Sequence, residues 1–312
     1  MARKITIALV LASFFAAPAD RAQEAVSSVE QARLLVAPAS SFQTGVDANG
    51  NALPGADSES SGDGSFGAQI VLKNQQTPRS FSVAGDAGVF LTTNAGLTPE
   101  NARRDTLVTA NASLAWRPVL GRELVGDFFA GASVVRYHRL TELDFDRFAA
   151  GAGLNWLVPH TPGIVALLRY DFVELTDRGG SELVQDHGVT LGAQKTFAFG
   201  RTHFLTTGLA GVAGFTNPRS EERDQAAFFA AYHLQLTRVL EADLLYRYAA
   251  QFYTGSDRLD HNQTVTLTLG MMATSWLRVG ISISGTRNDS NWRSNDYEVL
   301  NTGGALRMEI RF

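Results

Sequence analysis

Ten charged residues fall on the polar side of runs that alternate polar and apolar positions: Arg117, Arg147, Arg169, Asp171, Asp243, Arg247, Arg278, Arg307, Glu309 and Arg311. Guanidinium and carboxylate groups fixed along one face of a sheet order water and bias which ions or small solutes pass. They can also pair across the wall and only hold it together. Arg169 with Asp171, and Asp243 with Arg247, share a face at a spacing that allows this. Two Asp-His pairs, Asp186-His187 and Asp260-His261, suggest hydrolysis instead, since an Asp that orients a His is part of many hydrolytic sites. Neighbours along a strand point to opposite faces, however, so neither carboxylate can readily orient its own imidazole. No catalytic, cofactor-binding or metal-ligating residue is assigned, because the six histidines are scattered and cysteine is absent.

The elements that must position these charges are strands. In "TVTLTLGMMAT", Val265, Leu267, Leu269, Met271 and Ala273 share one face, and Thr264, Thr266, Thr268, Gly270 and Thr274 share the other. "LRVGISISG" sets Leu277, Val279, Ile281 and Ile283 against Arg278, Gly280, Ser282 and Ser284. "EADLLYRYAAQFY" sets Leu244, Tyr246, Tyr248 and Phe252 against Asp243, Arg247 and Gln251. A period of two over such lengths marks β-structure. The pattern also appears at 225–237 and 106–117, and further strands are expected near 81–93, 123–137, 146–158, 163–175, 186–199 and 203–215. The segment 123–137 is apolar on both faces, and a bulge is the expected explanation.

Composition narrows the classes. Residues 1–19 have Arg3 and Lys4, an apolar run shorter than a membrane-spanning helix, and Ala17-Pro18-Ala19, the pattern of a cleaved secretory signal peptide. Setting Arg3 and Lys4 aside leaves 25 basic and 31 acidic residues, a net charge of −6 that gives no support to nucleic-acid binding. With no cysteine, a disulfide scaffold is excluded. No later apolar stretch reaches helical spanning length, yet 45% of the chain is hydrophobic, with 29 glycines and 19 phenylalanines.

The connections sort by length. "VLGR", "PHTPG", "FGRT", "RVLE" and "TSW" are short; "NAGLTPENARRD", "HRLTELDFD", "LTDRGGSELVQD", "TNPRSEERDQ", "TGSDRLDHN" and "TRNDSNWRSNDYE" are long and polar, and the two kinds alternate from residue 94 onward. Tight turns on one side and longer loops on the other are features of a transmembrane barrel. The apolar face carries no charge through the strand centres, and an arginine facing lipid at the midplane costs roughly 2–4 kcal/mol. That face is therefore expected to look outward, around a wet, polar lumen. Lys195, near a strand end, can snorkel. Trp116, Trp156, Phe197, Phe199 and Phe312 lie near the short-turn ends, and Tyr137, Tyr170, Phe172, Phe215 and Phe252 near the long-loop ends, as two aromatic girdles require.

The last strand, "ALRMEIRF", puts Leu306, Met308, Ile310 and Phe312 on the outward face and Arg307, Glu309 and Arg311 on the luminal one. It resembles the C-terminal recognition strand of Gram-negative outer-membrane β-barrels, and these four apolar residues would then be the signal read by the barrel-assembly machinery. The resemblance implies a porin-like class without naming a family inside it. Outer-membrane lipid and lipopolysaccharide are the other implied partners.

The expected fold is all-β: a single antiparallel up-and-down transmembrane β-barrel of about fourteen strands, with about twelve as the alternative. The expected organisation is a signal peptide (1–19), a short periplasmic or luminal segment (20–33) and the barrel (34–312), where 34–46 and 66–74 would supply the extra pair of strands. The favoured function is a non-enzymatic channel for ions or small polar solutes, without cofactor. The alternatives are the membrane part of an assembly, export or surface-interaction system working with a partner chain, and an outer-membrane hydrolase. The last is disfavoured because no serine matches the outer-membrane phospholipase or deacylase sites, and no Asp/His layout matches the omptin proteases.

Overall fold

The structure, a computed structural model, describes residues 80–312 other than 162 and 201. Its strands are β1 (Phe81–Thr92), β2 (Asp105–Trp116), β3 (Leu124–Tyr137), β4 (Phe145–Leu157), β5 (Ile164–Asp177), β6 (Glu182–Ala198), β7 (His203–Asn217), β8 (Arg223–Gln235), β9 (Leu240–Tyr253), β10 (Leu259–Met272), β11 (Leu277–Ser290) and β12 (Tyr297–Arg311). Each pairs antiparallel with its sequence neighbours, and β1 pairs with β12 from Ser82↔Arg311 to Thr92↔Asn301, closing the barrel. Both edges of β1 are therefore occupied. Among the described residues the barrel has twelve strands, the alternative reading, and not the favoured fourteen, because closure of β1 on β12 leaves no free edge where another pair could join. The segments 34–46 and 66–74, like the signal peptide and 20–33, lie outside the described residues.

The alternation read in the sequence becomes the inside and outside of the wall. Leu306, Met308 and Ile310 on β12 and Phe312 just past it are 52–65% exposed on the outer surface, with Arg307, Glu309 and Arg311 between them facing in. Leu267 and Leu269 on β10, and Ile281 and Ile283 on β11, continue the same apolar exterior. In water this surface would be unstable, since so large an exposed apolar area needs a covering phase. A bilayer supplies one, and closure satisfies every edge, as a membrane-spanning sheet requires.

The expected bulge in 123–137 is absent: β3 pairs in continuous register with β2 and β4. Its second apolar face has another cause. Val125, Phe129 and Val135 face the interior, where Phe129 lies across β4 at Gly151. A Cβ at Gly151 would sit 2.3 Å from the Phe129 ring, so the glycine makes the close approach possible. A register shift occurs elsewhere, between Leu175 and Thr176 on β5.

Several polar segments expected as long loops continue as strand. β5 runs to Asp177 and β6 begins at Glu182, so only 178–181 remain as connection. The segments 93–104 and 138–144 leave the wall for longer, and the second includes a 3-10 turn at Thr141–Leu143.

Candidate functional site: a charged inner wall

The ten charged residues expected on the polar face lie at inward positions, and Lys195 lies outward. Most gather in the half of the lumen nearer the short turns. On β12, Glu309 accepts from Arg311 Nε at 2.8 Å and from Arg307 Nη2 at 3.3 Å. Arg117, just past β2, donates through Nε to Asp127 Oδ1 on β3 at 3.1 Å. Across the barrel sequence, Arg278 of β11 reaches over β10 to β9, where its Nη2 donates to Asp243 Oδ2 at 2.8 Å and its Nε lies 2.6 Å from Glu241. Asp243 Oδ1 meets His233 Nδ1 of β8 at 2.7 Å. Higher up, Arg169 donates to Asp171 at 2.8 Å and lies over the Phe129 ring, with Arg147 near enough to Asp171 to act on it electrostatically.

The Arg169–Asp171 pair is as the spacing suggested; the Asp243–Arg247 pair is not. Asp243 is held by His233 and Arg278, whereas Arg247 donates to Gln225 Oε1 at 3.1 Å. A separation of four along a strand is too long for the direct contact that a cross-strand neighbour makes. His233, Glu241 and Asp127 were not singled out in the sequence. Alternation placed His233 on the polar side, but pairing of β8 with β9 in register (His233↔Asp243) was needed to reveal its role. Asp127 was hidden by the two-faced apolar run around it.

The Asp-His pairs divide between the two surfaces. Asp186 faces in and accepts from Thr216 Oγ1 at 2.7 Å, whereas His187 faces out against the Tyr170 hydroxyl at 2.7 Å. Asp260 faces in beside Arg258 and Asn288, and His261 faces out against Tyr248 at 2.7 Å. Neither pair forms a dyad, and no group of three metal-ligating side chains occurs among the described residues.

The half of the lumen nearer the long loops differs from the wet interior expected. Phe90, Leu107, Val135, Tyr137, Phe145, Leu175 and Val184 point inward from β1–β6 and form one buried apolar cluster with Ala95 and Leu143 of the loops. Tyr137 thus belongs to this cluster and not to an outer aromatic girdle. On β10–β12 the inward face at the same level is a ladder of neutral polar groups. Thr264 meets Thr286 at 3.1 Å, Thr266 donates to Ser284 at 3.0 Å, and Asn262 donates to Tyr297 at 3.0 Å. At the outer rim, Glu221 is placed among Arg258, Arg223 and Asp260; burial holds its carboxyl above the usual range, against the pull of the two arginines.

No protein-family profile matches the chain, and no curated protein matches its sequence. Solved structures do resemble it in shape. An outer membrane channel from Pseudomonas putida F1 aligns over 75% of this chain and 97% of its own, with a TM-score of 0.53 at 9% identity. A bacterial polysaccharide outer membrane secretin aligns over 76% and 100%, with a TM-score of 0.47 at 12% identity. An anion-selective porin from Comamonas acidovorans aligns over 74% and 99%, with a TM-score of 0.40 at 11% identity. Closed twelve-strand architecture, an apolar exterior and a charged interior define the class: the chain has the fold of a transmembrane β-barrel, the fold that the outer membrane channel shares.

Proposed function

We propose that the protein is a porin-like channel in the outer membrane of a Gram-negative bacterium, exported by the signal peptide at 1–19, and that ions or small polar solutes cross it along the charged inner wall. The observation that carries this is the open, charged half of the lumen. Arg117, Arg278, Arg307 and Arg311 remain 31–40% exposed there, interleaved with Asp127, Glu241, Asp243 and Glu309. Pairs left this accessible contribute only about 0–1 kcal/mol each to stability. Their field on water and ions inside a low-dielectric wall is the larger effect. The inward position of all ten charged residues supports the same reading, as does the barrel-channel shape.

Purified, refolded protein in a planar bilayer should give discrete conductance steps. A bilayer that stays silent with protein that is folded, judged by its heat-modifiable mobility on a gel, would overturn the channel reading.

A further inference from the structure

The two halves of the lumen differ in how they are covered. Toward the short turns the inward side chains are accessible; toward the long loops they are almost all shut away, Leu107 and Phe145 completely and Asn262 and Asn301 to within 2%. Two loops contribute the cover. Ala95 of 93–104 and Leu143 of 138–144 enter the apolar cluster of β1–β6, with Leu140 packed against it. Leu97 crosses to the other side and packs on Tyr297 and Val299, inward residues of β12. Asn94 fixes this crossing: its Nδ2 donates to Thr98 O at 2.8 Å and to Glu298 O at 3.2 Å.

The two loops are tied into one unit. Arg103 Nη1 donates to Glu142 at 2.8 Å across exposed surface. Where the first loop joins β2, Asp105 Oδ2 accepts from the backbone N–H groups of Arg139 and Leu140 at 2.9 and 2.8 Å, which hinges the second loop at the same point of the wall. Behind them the wall is complete without the loops, since β1, β2, β3 and β4 pair in unbroken register. Lifting the loops therefore spares these ladders, and only their end bonds, Thr93 N–H to Leu300 O at 3.0 Å and His138 N–H to Thr106 O at 2.8 Å, lie at the loop hinges.

Two residues of the first loop have a left-handed backbone. Leu97 has φ +48° and Asn101 φ +56°. Asparagine tolerates the left-handed region, but a leucine there is strained and persists only where its surroundings over-determine it. Here the surroundings are Tyr297 and Val299. Once Leu97 leaves them, the strain favours staying out.

We propose that segments 93–104 and 138–144 form a displaceable plug that closes the outer mouth at rest, with Leu97 as its latch on β12. The inference rests on the channel reading for its consequence, but the plug itself can be tested apart from conduction.

The chain has no cysteine, so Ser133→Cys, at a buried inward position under the cluster, gives a single reporter. On intact cells an impermeant maleimide added outside should label it slowly. Adding Leu97→Ser with Leu143→Ser should raise the labelling rate at least about tenfold and raise single-channel conductance several-fold. Arg103→Gln with Glu142→Gln, an exposed pair whose loss the fold survives, should raise labelling by a smaller factor. Rapid labelling in the Ser133→Cys parent, or no increase in either variant with heat-modifiable protein, overturns the plug. Faster labelling without conductance in any variant upholds the plug and overturns the channel reading instead.

Discussion

The guanidinium of Arg278 occupies the space that Gly270 leaves empty: a Cβ on Gly270 would lie 2.6 Å from Arg278 Nε. Gly270 and Gly280 face each other in the β10–β11 register, and the arginine uses the bare stretch of β10 to reach Asp243 and Glu241 two strands away. Gly270→Ala should push the guanidinium off both carboxylates. Because these groups are about one-third exposed or less, the loss is about 1 kcal/mol or smaller. It should shrink in high salt, where such pairs are screened. Arg278→Gln should then add little on top of Gly270→Ala, since both remove the same contact. Urea unfolding of the two single variants and the double variant checks this, and additive losses would show that the glycine acts some other way.

The second prediction concerns ions. Neutralising Arg278 leaves Asp243 and Glu241 without the guanidinium that sits between them. Fixed positive charge favours anions, so Arg278→Gln together with Arg247→Gln should move the reversal potential in a salt gradient toward cation preference. An unchanged potential would leave both arginines with a structural role only.

The architecture was legible in the sequence wherever one face of a strand stayed apolar and the other polar. The threonine ladder of β10 and the arginines of β12 point inward as alternation required. Alternation cannot register what happens when both faces are apolar. In β3, Phe128 and Phe129 are adjacent, one outside and one inside, and the interior partner fits only because Gly151 on the next strand lacks a side chain. That relationship is set by register between strands, which local pattern does not contain. The same holds for His233 and Asp243, ten residues apart in sequence and hydrogen-bonded only through the β8–β9 ladder. The packed outer lumen was missed for a related reason. Leu107 sits on an otherwise polar face and Val135 and Leu175 on mixed ones, and their burial depends on loop residues such as Leu143 folding back over them. The sequence left the strand number between fourteen and twelve because a good alternating segment does not announce whether an edge is free to receive it; the β1–β12 ladder decides for twelve.

The third prediction concerns sidedness. With no native cysteine, single cysteines report cleanly. Cysteines at Ser256 or Ser294, in connections 254–258 and 291–296 at the long-loop end, should react with an impermeant thiol reagent on intact cells. A cysteine at Thr202, in the short connection between β6 and β7, should react only after the outer membrane is opened. Labelling of Thr202→Cys from outside would invert the barrel.

The last prediction tests the outer surface and follows from depth. Ile281 is 61% exposed on the lipid-facing side of β11, level with Leu269 on β10, and Leu277 begins the same strand beside a short turn. Both are apolar and outward, so composition alone treats them alike. The bilayer does not, since a charge at its midplane costs roughly 2–4 kcal/mol and one near an interface about 0–1. The chain carries a native example of the cheap case: Lys195, near the short-turn end of β6, lies with its ammonium 5.0 Å from the Phe197 ring centre, where it can reach the headgroups. Ile281→Arg should therefore destabilise the folded barrel in phospholipid vesicles by roughly 2–4 kcal/mol, and Leu277→Arg by no more than about 1. Ser282→Arg is the control, because its side chain projects into the lumen, where charge is already carried by Arg278 and Arg307. Guanidinium unfolding measures all three. Equal losses at Ile281 and Leu277 would mean that depth does not set the cost, and a loss at Ser282 matching that at Ile281 would mean that the two faces have been assigned the wrong way round.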